Sequence, residues 1–521
     1  MRSTGLRSLA AVSALLAALL LTQAVRGANR PKYGGTLRVE LHAANVSLDP
    51  REWKVGSIGA AEGEKLATLI YDRLVTLDDY GRFQQALATE WSHDTAGKIW
   101  QFKLRPGVKF SNGSPLTPSD VANALQGLLP RPLQIIPGES TLTIRSSRPV
   151  PDLLEQLASG RCFVLRKNPD GAFLGTGPFY LAENIPAQPA EANPGALKLA
   201  HLKFRANEEA WAGRPFVDAV EVTLGAPGLR QILDLQVGRA DLIEIAPDLV
   251  RKARQDNLRV WSSAPATLLA LRFDTAQRAA SDDRLREAVD LVLDRDTMAN
   301  VLLQREAQPA AALLPQWLTG YAFLFGSPMN LNRAREIRAS LPANEAGTAE
   351  PLRLRVDAAG DLMKLLGERV AVNARQANLA VQVTLHATAA YPSASTNPNP
   401  PAAGLHLVAW HYDSLSARVE LEALVSQFSL EDAGETAPPA FDPEKLYAEE
   451  RRLLEQRQLL PLIVLPDYVG VGPAVRNWSP APWGEWRLAD VWLETGDNTT
   501  SGAPGESSGT STKDRAPGVR P

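Results

Sequence analysis

The side chains best suited to ligand chemistry are gathered in one tetrapeptide, Trp410-His411-Tyr412-Asp413. It brings an indole, an imidazole, a phenol and a carboxylate together directly after the strand-like run Leu405 to Ala409. A carboxylate in a dry cleft can fix the register of a ligand that presents one cation. The alternative is structural, with Trp410 in the core at a strand end and Asp413 in an ordinary turn.

Catalytic motifs give little support to the hypothesis that the protein is an enzyme. The serine-hydrolase pattern Gly-x-Ser-x-Gly occurs at Gly505 to Gly509, but it lies in a Gly/Ser/Thr/Pro-rich tail, residues 495–521, that predicts disorder. The sequence has no Walker A loop, no His-Glu-x-x-His and no cysteine–histidine cluster. Residues five apart in a strand face opposite ways, which separates His406 from His411. We predict no catalytic residue, no metal site and no cofactor, although a triad assembled from distant residues stays open.

Composition is that of a globular protein of two to four domains. The chain has 521 residues, of which 45% are hydrophobic and 22% charged. Its net charge of −3 lacks the basic excess that nucleic-acid binding requires. The single cysteine, Cys162, excludes an internal disulfide and predicts a buried thiol.

The N-terminus has the pattern of an export signal. Arg2 and Arg7 precede an apolar run from Leu9 to Leu21, and a zone of small residues ends at Ala28. The apolar run is shorter than the roughly 20 residues of a membrane-spanning helix. We therefore predict a cleaved signal peptide over residues 1–28.

Clear turn and helix-start signals delimit a structural unit between Ile99 and Leu129, around which the first half of the chain is organised. Ile99 to Leu104 alternates bulky and polar residues, which predicts a half-buried strand. Val108 to Phe110 is predicted as a short return strand after an Arg-Pro-Gly turn. Thr117, followed by proline and Asp120, predicts a capped helix start.

The sequence of this unit and of several later stretches resembles that of one known protein family. An Arg-x-Gly-Val-x-Phe strand followed by Gly-x-Pro-Leu-Thr-x-x-Asp-Val resembles the family 5 (peptide/nickel type) solute-binding proteins of bacterial ABC transporters. The resemblance extends, with gaps, from about Tyr33 to Glu494. The stretches that carry it are Leu69 to Asp78, Ala86 to Ser92, Phe102 to Phe110, Gly113 to Val121, Gly175 to Leu181 and Asp283 to Asp296.

The resemblance implies an α/β, two-lobed periplasmic-binding fold with class II-type topology and a ligand cleft between the lobes. The small extra domain of the oligopeptide-binding cluster is expected in a shortened form at residues 61–174. Lobe I is then discontinuous, and lobe II is residues 267–465. The segments expected for lobe I are 32–60, 175–266 and 466–494.

The resemblance also implies a ligand site. In the family the tryptophan of Trp-x-x-Asp walls the pocket, and in peptide-binding members the aspartate pairs with the ligand's α-ammonium. A Leu-Asp-Pro segment resembles one near the mouth of the family's cleft. The predicted ligand-binding residues are therefore Trp410, Tyr412, Asp413, Asn45 and Ser47. A nickel or haem role for His411, known in some members, is the alternative to a structural histidine.

The function implied is the periplasmic solute-binding component of an ABC importer. It would capture a peptide or similar small solute and deliver it to permease and ATPase subunits. Because no cysteine follows the apolar run, the lipid anchor of many members is excluded and a free periplasmic monomer is expected. The alternatives are a sensory or chaperone-like binding protein, or an enzyme that reuses the fold.

Overall fold

The structure is a computed structural model of the chain. The residues it describes are 30–129, 133–158, 160–168, 171–189, 197–321, 325–327, 329–341, 351–357, 361–386, 403–430 and 442–494. The predicted signal peptide and the predicted tail lie outside them. Among the helices of this described part, none combines the length and the apolar character that crossing a membrane requires.

Strands and helices alternate through much of the described chain. The strands are β1 (Thr36–Leu41), β2 (Val75–Leu77), β3 (Phe83–Gln85), β4 (Ala88–His93), β5 (Ile99–Leu104), β6 (Gln134–Pro137), β7 (Thr141–Arg145), β8 (Arg166–Lys167), β9 (Phe173–Leu174), β10 (Phe179–Ile185), β11 (Gln188–Pro189), β12 (Leu197–Lys198), β13 (Ala200–Ala206), β14 (Ala219–Leu224), β15 (Leu242–Glu244), β16 (Arg259–Phe273), β17 (Gln308–Pro309), β18 (Leu352–Asp357), β19 (Val381–His386), β20 (Leu405–His411), β21 (Leu459–Val471), β22 (Val475–Arg476) and β23 (Trp492–Leu493).

The α-helices are α1 (Ile58–Ile70), α2 (Pro118–Leu125), α3 (Leu153–Ala158), α4 (Gly228–Gln236), α5 (Val250–Gln255), α6 (Arg278–Ser281), α7 (Asp283–Val292), α8 (Arg295–Thr297), α9 (Gln316–Thr319), α10 (Leu331–Ser340), α11 (Asp361–Arg375), α12 (Ala417–Phe428) and α13 (Pro443–Gln456). A π-helical turn, Met298–Leu302, follows α8, and 3₁₀ turns occur at Pro50–Glu52, Pro247–Leu249 and Leu488–Asp490.

The largest sheet joins strands from both ends of the chain. Its order is β10-β13-β14-β1-β15-β21-β16-β20-β18-β19, and β17 pairs with β21. β1 runs parallel to β14 and β15, and β18 runs parallel to β19 and β20. The crossovers between these parallel strands contain helices, such as α4 and α11. The predicted α/β class is confirmed.

Two long strands connect the halves of this sheet. β16 and β21 pair antiparallel along nearly their whole length, from Arg259 opposite Val471 to Arg272 opposite Leu459. The register shifts near Pro265, which lies opposite Pro466, because proline donates no backbone hydrogen bond to the ladder.

The predicted strand Ile99–Leu104 is confirmed in a separate sheet of order β4-β5-β7-β6. The predicted return strand at Val108 to Phe110 is wrong, because both edges of β5 are already paired, with β4 and β7. Only Lys109 forms an isolated bridge, with Pro115. Val108 and Phe110 are nevertheless buried, and Val108 packs in the hydrophobic cluster of this sheet.

The predicted helix start at Thr117 is confirmed as a capping box. The side chain of Thr117 accepts from the backbone N–H of Asp120, and the Asp120 carboxylate accepts from the backbone N–H of Thr117 at 2.9 Å. The buried residues of α2 then pack on β5 and β7 in one hydrophobic cluster with Cys162, whose predicted burial is confirmed.

Helix α1 belongs to the core beneath β1, β13 and β14. Its residues Leu66, Leu69 and Ile70 lie in the same cluster as Leu37 and Phe204. The predicted start of the small domain, residue 61, therefore falls inside a helix that packs on the main sheet. The division of the chain into lobes stays a prediction.

We expect Gly175→Ala to destabilise the fold, by about 1–3 kcal/mol in urea unfolding. A Cβ at Gly175, in the stretch that enters β10, would lie 1.9 Å from the backbone oxygen of Ile70, and this backbone cannot swing away as a side chain could. Gly326→Ala is the matched control, since a Cβ there meets no atom within 4 Å. Equal urea midpoints for the two variants would contradict the close contact between Gly175 and the backbone of Ile70.

Candidate functional site: a cleft along the edge of β20

A cleft of about 700 Å³ runs along β20 from His406 to His411, and residues of the neighbouring strand β16, such as Thr267 and Leu269, also line it. β20 pairs with β16 over its full length but with β18 only from Leu405 to Leu407. Among the described strands, none pairs with the edge that faces away from β16 between Val408 and Trp410, beyond which the N–H of His411 donates to the backbone oxygen of Gly56. Such a free edge can hydrogen-bond an extended backbone. The surrounding walls are Lys54 to Ile58, the first half of α1, Glu244 to Asp248, and Leu465 to Tyr468.

At the base of the cleft, the ammonium of Lys65 is surrounded by carboxylates. Its Nζ lies 2.7 Å from Glu244, 3.1 Å from Glu62 and 3.6 Å from Asp467. Burial lowers the pKa of Lys65, but the three carboxylates outweigh burial and raise that pKa well above its usual value. Lys65 is therefore a fixed cation at neutral pH.

The carboxylates around Lys65 differ in protonation. Burial and the neighbouring charge of Glu244 raise the pKa of Glu62 well above its usual value. Burial also opposes ionisation of Glu244, but Lys65 and His42 dominate and lower the pKa of Glu244 to about 2. Ionisation of Glu62 is therefore opposed, whereas Glu244 is held as the anion next to Lys65.

His411 connects this cluster to the end of β20. Its Nδ1 lies 3.2 Å from Asp413 Oδ1, and its Nε2 lies 3.8 Å from Asp467 Oδ2, an ion-pair distance that is too long for a hydrogen bond. Burial lowers the pKa of His411, yet the two aspartates more than compensate and raise it to about 10. A protonated imidazole therefore links Asp413 to the Lys65 cluster.

The segment Lys54 to Ser57 contacts the end of β20 directly. Its residue Gly56 accepts a hydrogen bond from the backbone N–H of His411 at 2.8 Å and donates its own N–H to Asp413 Oδ2 at 2.6 Å. A Cβ at Gly56 would lie 2.2 Å from the ring of Trp410. This backbone segment and the strand end are therefore in close contact across the cleft.

The predicted residues Trp410 and Tyr412 are buried at the strand end. Trp410 lines the cleft, and its Nε1 donates to Glu420 at 2.9 Å. The hydroxyl of Tyr412 donates to the backbone oxygen of Leu313 at 2.7 Å. The pKa of Glu420 rises to about 8, chiefly through burial and then through the charge of Asp413.

Of the five predicted residues, Trp410 is the one that lines this cleft, whereas Tyr412 and Asp413 line a smaller space next to it. Asn45 is exposed, and Ser47 donates its hydroxyl to Glu52 at 2.6 Å. Neither residue is among those that line the cleft along β20. The structure therefore brings Trp410, Tyr412 and Asp413 together but does not add Asn45 or Ser47 to them.

Asp413 lines a second cavity, of about 500 Å³. Its other walls are Val55, one face of α12, and the residues Gln156, Gly160, Arg161 and Cys162. Burial raises the pKa of the Cys162 thiol to about 12, which keeps it protonated and unreactive.

The charged cluster could hardly be predicted from local sequence patterns. Glu62 and Lys65 have the i, i+3 spacing of a helix pair, which was the one available signal. Glu244 and Asp467 come from distant strands, and no local pattern marks them. In the described residues, no group of three or more histidine, cysteine, aspartate or glutamate side chains is arranged to hold a metal ion.

Comparison with known protein families shows to which family the chain belongs. The model of the family "Bacterial extracellular solute-binding proteins, family 5 Middle" matches residues 82–423, well over half of the 521 residues. The chain belongs to this family. The resemblance inferred from the motifs is thereby confirmed.

Sequence relatives of this family 5 protein include binding proteins with different ligands. The nickel-binding protein NikA of Staphylococcus aureus is 24% identical over 297 residues, which are 54% of this chain and 55% of NikA. A probable di/tripeptide-binding protein 5 of Pseudomonas aeruginosa is 25% identical over 349 residues, 60% of this chain and 64% of the relative. The chain thus spans between about half and two thirds of the length of these curated relatives.

Solved structures in the same family confirm the predicted two-lobed fold. DppA from Helicobacter pylori, in complex with the peptide STSA, has a TM-score of 0.72 at 17% identity, covering 89% of this chain and 99% of DppA. AppA from Bacillus subtilis, in complex with a nonapeptide, has a TM-score of 0.71 at 15% identity, covering 89% of this chain and 100% of AppA.

We expect Lys65→Met to destabilise this family 5 protein strongly, by about 3–5 kcal/mol, because it leaves buried carboxylates without their cation. Lys54→Met is the matched control: Lys54 also lines the cleft but is exposed, so its loss should change stability by no more than about 0.5 kcal/mol. Urea unfolding at neutral pH measures both. A Lys65→Met protein as stable as the control would show that the cluster contributes nothing to folding.

We also expect His411 to make stability depend on pH. Its pKa is about 10 in the folded protein and 6.5 as the ordinary value, so the stabilisation is complete below pH 6.5 and is lost as pH rises through 10. The free energy of unfolding should fall by up to about 1.4 kcal/mol per pH unit in that window. His411→Gln should remove this slope, whereas His201→Gln, at an exposed position, should retain it. Parallel slopes for the wild type and His411→Gln would refute this assignment.

Proposed function

We propose that this chain is the solute-binding component of an ABC importer, which encloses a peptide or similar small solute and delivers it to a membrane permease. Membership of the family supports this role. The observation that carries it is the cleft along β20, whose volume lies within the range of about 300–1,000 Å³ usual for small-molecule sites.

The cleft has the features that are required to bind a solute without reacting with it. The free edge of β20 next to Ala409 offers backbone hydrogen bonds, and Trp410 offers an aromatic wall. The charged groups at the base are paired with one another, which favours a preorganised container over a reactive centre. We propose accordingly that the protein acts by binding alone and is not an enzyme.

Lobe closure would complete the capture. In the proposed division, segments 32–60, 175–266 and 466–494 form lobe I, residues 61–174 form the small domain and residues 267–465 form lobe II. β16 and β21 pass between the two lobes, so their register shifts near Pro265 and Pro466 are the natural place for a hinge. We propose that the protein is exported by a cleaved signal peptide and acts in the periplasm as a monomer.

The proposal predicts that filling the cleft blocks binding. Mature protein should be screened by native mass spectrometry and thermal shift against di- to nonapeptides and against nickel with histidine. For peptides that bind, Ala43→Trp, which places a large ring in the cleft wall, should weaken the Kd at least about tenfold. Ala276→Trp, at an exposed position outside the cleft lining, is the control.

Two outcomes would revise the proposal. Binding of nickel with histidine but of no peptide would change the solute class while leaving capture in this cleft intact. A protein that no solute stabilises, or one whose binding is unaffected by Ala43→Trp, would remove the importer role from this site. A ligand that binds but does not stimulate the ATPase of a co-reconstituted permease would favour a sensory role.

A further inference from the structure

Both carboxylate oxygens of Asp413 already have partners. Oδ2 accepts the N–H of Gly56 at 2.6 Å, and Oδ1 lies 3.2 Å from Nδ1 of His411. The side chain is only 13% exposed. Hydrogen bonds to an ionised carboxylate are stronger than neutral ones, and here one of the donors is itself charged. An ammonium arriving from a ligand would compete with these two donors for a side chain that does not itself line the cleft along β20.

The charge of Asp413 is also compensated. His411 is protonated at neutral pH, and its second ring nitrogen faces Asp467, which Lys65 balances in turn. The strand end therefore presents alternating charges that cancel along the chain of contacts. A ligand cation at Asp413 would meet the positive imidazole next to the carboxylate, which removes most of the electrostatic gain.

The neighbouring carboxylates offer no replacement. Glu420 accepts from the indole of Trp410 and from the backbone N–H of Ser414. Glu64 pairs with Arg73. Each acidic group around the strand end is thus already engaged within the protein. Asp248 and Asp361 also line the cleft, but both are exposed, and an ion pair with an exposed carboxylate contributes little because water screens it.

Gly56 is fixed in place by its surroundings. Its φ of +73° is a backbone conformation that favours glycine, and its Cα packs against the indole of Trp410. On one side, Trp53 donates its Nε1 to the backbone oxygen of Ser47. On the other, Ser57 caps α1 through a hydrogen bond from Ala60 N. The segment that occupies Asp413 is therefore anchored at both ends.

Resting on the proposed function, we propose that the Gly56–Asp413 contact determines the specificity of the cleft. The site takes peptide-like solutes without using an N-terminal ammonium, so that N-acylated peptides belong to its substrate class on equal terms with free peptides. The Gly56 N–H occupies the position that the family resemblance assigned to the ligand's ammonium. Asp413 then acts as a positioning residue that joins Gly56 to the end of β20.

Matched pairs of tripeptides test this directly on the wild-type protein. A panel of Ala-Xaa-Ala peptides, each in free and N-acetylated form, is titrated by calorimetry at neutral pH. For pairs that bind, the two Kd values should agree within about threefold. Acetylation that weakens binding by more than about tenfold would overturn the inference while leaving solute capture in place. If neither form of any peptide binds, peptide capture itself fails and this inference fails with it.

A variant separates the charge of Asp413 from its hydrogen bonding. Asp413→Asn keeps an oxygen for the Gly56 N–H but removes the negative charge, and Asp490→Asn is the control at an exposed carboxylate outside the cleft lining. Thermal unfolding checks that both variants fold. We expect Asp413→Asn to change the Kd of free and acetylated peptides by the same factor. A loss confined to free peptides would show that Asp413 holds the ligand's ammonium after all.

Discussion

The buried, charged ammonium of Lys65 constrains the elements that surround the cleft. Removing Lys65 from water costs several kcal/mol, and this cost is offset only if the carboxylates stand at hydrogen-bonding distance. The carboxylates come from α1, β15 and β21, so three separate elements must be in place together. His411 extends the same requirement to β20. The electrostatics of the cleft are therefore inseparable from the assembly of the main sheet.

Much of the fold could be predicted because its signals are local. Strand β5 follows from alternation of bulky and polar residues, and α2 from a hydroxyl and a carboxylate three positions apart. The failure at Val108 to Phe110 has a non-local cause. Whether a short apolar run becomes a strand depends on a free sheet edge, and the partners that fill the edges of β5 lie elsewhere in the chain.

The site was only partly predictable for the same reason. Trp410, Tyr412 and Asp413 are adjacent in sequence and could be singled out together. The partner that occupies Asp413 is Gly56, 357 residues away, and a glycine before a helix has many ordinary explanations. Asn45 and Ser47 were selected on their position near a Leu-Asp-Pro turn. The hydroxyl of Ser47 is engaged with Glu52 instead, a contact the turn motif did not indicate.

The continuous pairing of β16 with β21 also determines how this protein unfolds. Both strands contribute to the cluster under β1 and to the cluster under β18, so melting either half strips backbone hydrogen bonds and apolar cover from the other. The two halves of the main sheet consequently share a single cooperative unit, despite a chain long enough for several. The sheet of β4 to β7 has its own cluster and its own hydrogen bonds, and it can open as a separate foldon once the buried ion pair between Asp152 and Arg418 of α12 breaks.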